Sequence, residues 1–185
     1  MYQQHPLRMT GVTLIELLIV ITIVAILMGI GMPSYRYITT SYRISGEING
    51  LLGDVQFARA EAVKEGQNVT VCVSTDGLSC ATSTGWQAGW IVFSDPTSAK
   101  TTNGNAALVL RRQVAFTGSD TFDNGATGAL IFNREGLVAG LLTSGGALIP
   151  LREPTANVNW TRCLQLSNVG AAFVVQHTTP GVSCT

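Results

Sequence analysis

The sequence predicts an α+β fold: a long N-terminal hydrophobic helix packed on an antiparallel β-sheet domain. Three observations carry that expectation. A nearly uninterrupted apolar run fills positions 12–32, long enough to cross about 30 Å of hydrocarbon as a helix. Beyond it, Ile44, Ile48, Leu51, Val55, Ala58 and Ala62 recur at steps of four and three, which is one apolar stripe on a helix. From residue 67 onward, short β-branched or aromatic runs are separated by Gly, Asn, Asp, Ser and Pro, the pattern of strands joined by turns.

In chain order, the first element is the segment 12–32, in which only Thr13, Glu16 and Thr22 are clearly polar. It is too long for the apolar region of a secretory signal peptide, and no small-residue cleavage site follows it. A plain signal anchor fits Arg8 on the cytoplasmic side but leaves Glu16 unexplained, because a charge at mid-bilayer costs about 2.5–3.5 kcal/mol and marks function. Pro33 lacks an N–H and clashes with the carbonyl of Gly29, so Gly29, Gly31 and Pro33 together predict a kinked or loosened turn. The helix signal then continues over 34–66. Arg43, Glu47, Asp54, Glu61 and Lys64 lie mostly off the apolar stripe, and Gly66 after Lys64 is a good C-terminal cap. Strands are expected at 69–74, 90–95, 107–114, 128–132, 147–151, 162–167 and 171–176, with polar surface loops at 75–87, 96–105 and 117–126.

Composition limits the chemistry. The 185 residues carry no net charge, and only 12% are charged, so the basic excess of a phosphate-backbone binder is missing. Cys72, Cys80, Cys163 and Cys184 form no CxxC pair, which argues against zinc and thioredoxin-like chemistry. In an exported domain they imply two disulfides, and four cysteines allow three pairings. Cys72 and Cys80 bracket the turn "VSTDGLS", and Cys184 is penultimate. The expected bonds are therefore Cys72–Cys80 and Cys163–Cys184, the second tying down an end that otherwise frays. No nucleophile motif, P-loop or HExxH is found. His5 and His177 are isolated, and a lone His without a partner is more often surface than catalytic. Asp76, Asp95, Asp120 and Asp123 fall in predicted loops without the alternating ligands of a calcium site. No catalytic residue, metal or cofactor is expected. Trp86 and Trp90 in "GWQAGWIVFSD" read as sheet packing.

The stretch "TGVTLIEL" resembles the processing site of type IV pilins and of the pseudopilins of type II secretion. The resemblance implies a leader peptide, residues 1–11, removed by the prepilin peptidase between Gly11 and Val12, and N-methylation of Val12. It departs from the family in one respect: Val12 stands where Phe is usual. Glu16 lies four residues after Val12, so on a helix its carboxylate shares a face with the new amine. In the family this Glu is thought to meet the amine of a neighbouring subunit during assembly. "ARAEAVKEG", "VTVCVSTDGLSC", "GWQAGWIVFSD" and "RCLQLSNVGAAFVV" extend the resemblance to the H-type minor pilins and pseudopilins, the FimT, FimU and GspH group. The implied layout is a leader at 1–11, a transmembrane and filament-core helix at 12–33, its amphipathic continuation at 34–66, and a β-rich periplasmic domain at 67–185.

The resemblance thus implies a minor type IV pilin, a non-enzymatic filament subunit that primes assembly or sits at the pilus tip. The alternative is a GspH-like minor pseudopilin of type II secretion, and the second alternative a FimT-like DNA-binding minor pilin. Its partners would be other pilins or pseudopilins, the prepilin peptidase and the inner-membrane assembly platform. Its place would be the inner membrane, as a single-pass protein, and then the filament. DNA is disfavoured. The positions matching the Gly-Arg-x-Arg element of DNA-binding relatives are Gly170, Ala171, Ala172 and Phe173. The remaining candidates, Arg111, Arg112, Arg152 and Arg162, would have to converge on one face.

Overall fold

The computed structural model describes residues 11–83, 85–122, 128–139, 146–177 and 184, apart from the side chains of 32–34. Residues 1–10 of the leader, Asp123 and the Pro33 side chain thus lie outside the described residues. The chain divides into two units, Met1–Thr39 and Thr40–Thr185.

One helix, α1 (Leu14–Glu65), starts at Thr13, whose hydroxyl accepts the N–H of Glu16 at 3.3 Å. Thr at the N-cap with Glu three residues on is the capping-box pattern, and a carboxylate there also suits the positive end of the helix dipole. The backbone stays helical through Gly29, Gly31 and Pro33. At the far end Gly66, at φ +68°, closes its N–H on the carbonyl of Ala62 at 3.0 Å. That left-handed conformation is open to Gly at little cost.

In the second unit the helix presents Ile44, Ile48, Leu51, Val55, Ala58 and Ala62, all 1% exposed or less. They face two antiparallel sheets. The first has the order β3 (Val109–Val114), β2 (Gly89–Ser94), β1 (Val69–Val73), β5 (Ala129–Phe132), β6 (Val138–Ala139). The second has the order β4 (Thr121–Phe122), β7 (Ala147–Arg152), β8 (Arg162–Leu166), β9 (Ala172–Gln176). The amide of Val138 donates to Asn168 of the β8–β9 turn at 3.1 Å and links the two sheets.

Strand alternation sorts the side chains. Val69, Val71 and Val73 of β1 and Trp90 and Val92 of β2 join the helix stripe in one core, together with Leu130, Phe132, Ile149, Leu151, Leu164 and Leu166. The intervening Cys72, Ile91 and Phe93 form a second cluster, with Cys80, Val109 and Ala129 packed on it. Cys163, Val175 and Cys184 form a third with Leu148. Both faces of β1 and β2 are therefore buried, which is why these strands read as near-continuous apolar runs instead of alternating ones. The disulfides sit in these two outer clusters. Cys72–Cys80 has a Cα separation of 5.5 Å and Cys163–Cys184 one of 6.0 Å.

Three strands depart from the sequence reading. Thr121–Phe122 forms β4 inside the expected 117–126 loop, paired with Arg152 and Leu151 of β7. Val138–Ala139 forms β6 on Phe132 and Ile131. The expected strand at 107–114 begins instead with a short 3-10 turn, Ala106–Leu108, and a register shift between Val92 and Phe93 bends β3.

Candidate functional site

The first unit is a helix with an uncovered apolar surface. Val12 is 70% exposed and Leu14 82%, and Ile15, Leu17, Leu18, Ile19, Val20, Ile21, Ile23 and Val24 are exposed with them. An all-round apolar helix needs lipid or other helices to cover it. In that surface Glu16 is the single ionisable side chain between Val12 and Tyr35. Among the described residues its carboxylate has no hydrogen-bond or ion-pair partner.

In the second unit the aromatic and charged side chains that the sequence singled out lie in or on the core. Trp86 and Trp90 are buried and meet edge to face, with ring centroids 6.4 Å apart; Trp90 meets Phe116 at 5.8 Å. Both tryptophans serve the core. Trp90 also anchors the helix, since its Nε1–H donates to Asp54 Oδ2 at 2.8 Å. The other oxygen of Asp54 accepts from Arg111 Nη1 at 3.0 Å, and the Arg111 guanidinium lies 3.8 Å over the Phe57 ring. This α1–β2–β3 clasp was invisible in the sequence, because its members are 36 and 57 residues apart. A second such cluster joins Arg43 and Glu47 of α1 to Asp120, with Arg43 Nη1 2.8 Å from Asp120 Oδ2.

The four candidate arginines fall on two sheets: Arg111 and Arg112 on edge strand β3, Arg152 and Arg162 on β7 and β8. Arg111 is held by Asp54 and Phe57. The Arg112 guanidinium lies against Gly77 in the Cys72–Cys80 loop. Arg162 Nη1 donates to the carbonyls of Asn159 and Thr161 at 2.9 and 3.1 Å. Gly170, at φ +77°, belongs to the turn between β8 and β9, and Phe173 on β9 is 46% exposed.

The loop aspartates organise their own loops. Asp76 accepts from the Ser79 hydroxyl and from the amides of Leu78 and Ser79. Those bonds, the hydroxyl first, hold its carboxyl well below the usual carboxylate range. Asp95 accepts from Thr70 Oγ1 at 2.8 Å and from the amides of Ala99 and Lys100 at 2.9 Å. Among the described residues no group of three His, Cys, Asp or Glu side chains converges for a metal. His177 Nδ1 donates to the carbonyl of Cys184 at 2.8 Å.

The comparisons with known proteins match both units. A family described as Type II transport protein GspH matches residues 47–170, and the prokaryotic N-terminal methylation motif matches residues 7–32. Two crystal structures of the type IV minor pilin FimU of Pseudomonas aeruginosa PAO1 share the fold. One aligns with a TM-score of 0.51 at 18% identity, over 78% of this chain and 98% of FimU. The other aligns with a TM-score of 0.52 at 17% identity, over 78% and 92%. No curated protein matches the chain by sequence. With the family model matching residues 47–170 and the methylation motif matching the start of the apolar helix, the chain belongs to the GspH family of type IV pilin-like proteins.

Proposed function

We propose that this chain is a minor type IV pilin, a non-enzymatic filament subunit that primes assembly or occupies the pilus tip. One observation carries the reading: a fully exposed apolar helix holds a lone carboxylate, Glu16, four residues after Val12, ahead of a GspH-type β domain. Peptidase cleavage after Gly11 creates an amine at Val12. In a low-dielectric filament core a charge is tolerated only when paired, so Glu16 of one subunit takes the methylated amine of its neighbour and fixes register. Gly29, Gly31 and Pro33 loosen the middle of the spine. The helix groove lined by Val24, Leu27, Met28, Gly31, Tyr35 and Arg36 accepts the side chains of an adjacent spine. The layout is a leader at 1–11, a spine at 12–33 and 34–66, and a periplasmic domain at 67–185. The partners are other pilins, the prepilin peptidase and the inner-membrane assembly platform.

The second reading is a minor pseudopilin of type II secretion. It is favoured by the description of the matching family as a type II transport protein. DNA binding ranks third, because Arg111 and Arg162 are already engaged. Crosslinkers placed at the exposed Val114 and Val169 in the native host separate the first two readings. Adducts with pilus subunits support the pilin, and adducts confined to secretion-apparatus subunits replace it with the pseudopilin.

A further inference from the structure

The Arg43–Glu47–Asp120 cluster holds more carboxylate than its surroundings can satisfy. The Asp120 side chain is fully buried, and Arg43, 39% exposed, is the cation on it at 2.8 Å. Among the described residues, Glu47 Oε2 and Asp120 Oδ1 and Oδ2 are shielded from solvent without a hydrogen-bond donor. The ion pair on Asp120 Oδ2 is therefore a charge contact without hydrogen-bond geometry. Two carboxylates and one guanidinium leave an excess negative charge in a desolvated place, and neighbouring like charges that interact this strongly cannot both ionise without a large penalty. A proton between them removes the excess and supplies the missing donor.

The neighbouring groups do not relieve this. From the segment after β7, Glu153 adds a further negative charge acting on Arg43. Its own carboxyl is pushed up by burial, but the Thr155 hydroxyl and the Asn157 and Thr155 amides outweigh that and hold it low. Arg152, on β7 opposite Thr121, makes no ion pair with the cluster. Glu47 also lines a cavity of about 210 Å³ with Gly46, Gly50, Trp90, Gln113 and Phe116, none of which is a cation. Burial first, then the charge and hydrogen bond of Asp120, push the Glu47 carboxyl up to about 7, with Arg43 opposing.

We propose that Glu47 and Asp120 share one proton beneath Arg43, and that this proton clamps residues 115–122 onto α1, so that the clamp loosens as pH rises to neutrality. The sign follows from linkage. A carboxyl bound more tightly to its proton in the closed state gives full protection below its ordinary value of 4.5; protection falls as pH rises through about 7 and is flat above.

The test uses the full chain in detergent micelles. Carboxyl-carbon NMR should show Glu47 titrating near neutrality in the wild type and at a clearly lower pH in Asp120→Asn, where burial still holds it up but the charge and hydrogen bond of Asp120 are gone. Hydrogen-exchange protection of 115–122, corrected for intrinsic exchange, should drop more than about tenfold between pH 5 and 7.5. Glu47→Gln, whose amide donates permanently to Asp120, should keep the low-pH protection at both values. Ordinary titration of Glu47 in the wild type, pH-independent protection in the wild type, or unchanged pH dependence in Glu47→Gln would each overturn the proposal.

Discussion

Replacing Asp54 by Ala severs the clasp between α1 and the first sheet, and the structure sets the size of the effect. Trp90 is 1% exposed and its Nε1–H has Asp54 Oδ2 as acceptor at 2.8 Å. Leaving that donor buried and unmet costs about 1–3 kcal/mol. The ion pair with Arg111 is worth less, about 0.2–1 kcal/mol, because the Arg111 side chain is 48% exposed and screened by solvent. Asp54→Ala should therefore destabilise by about 1–4 kcal/mol. Asp54→Asn keeps an oxygen for Trp90 and loses only the ionic part, so it should cost under about 1 kcal/mol. Urea unfolding of the full chain in detergent, followed by tryptophan fluorescence, measures both. A double-mutant cycle with Trp90→Phe should return a coupling above about 0.5 kcal/mol. If Asp54→Ala costs no more than Asp54→Asn, the buried indole bond is not what holds the helix to β2, and the reasoning fails.

Three further outcomes are expected. Intact mass of protein made alongside the prepilin peptidase should lack residues 1–11, and a mature chain retaining His5 and Arg8 would refute cleavage after Gly11. Cys163→Ser with Cys184→Ser should lower stability by about 3 kcal/mol, since that bond closes a separation of 21 residues; non-reducing peptide mapping that joins Cys72 to Cys163 would refute the pairing. The full chain in detergent should bind duplex DNA weakly or not at all near physiological salt, whereas micromolar binding in an anisotropy titration that weakens on Arg111→Ala with Arg112→Ala would promote the DNA-binding reading.

Much of the architecture was legible because it is periodic. Ile44 through Ala62 step with the helix turn and are buried as one stripe, and Gly66 ends the helix for a conformational reason that holds for any chain. The longer strands announced themselves as β-branched runs between turn residues. Two-residue strands have no period to read: Thr121–Phe122 is a strand only because Leu151 and Arg152 lie beside it. The same limit applies to the sites. Val12 and Glu16 are legible together because they are four residues apart. The partners of Asp54 are Trp90 and Arg111, and the partner of Glu47 is Asp120. Those pairs exist only once the sheets bring distant segments to one helix, and no local pattern encodes them.

The proposed filament role rests on Glu16, the lone carboxylate of an exposed apolar spine. The most direct test compares the sheared-filament fraction of the native host carrying the wild type or Glu16→Ala. The wild type should be present in filaments and begin at a methylated Val12. Glu16→Ala should reach the membrane at normal levels, since a charge has left the lipid, but be depleted from filaments. Equal incorporation of the variant, or a wild type confined to the membrane with its leader intact, would contradict that role.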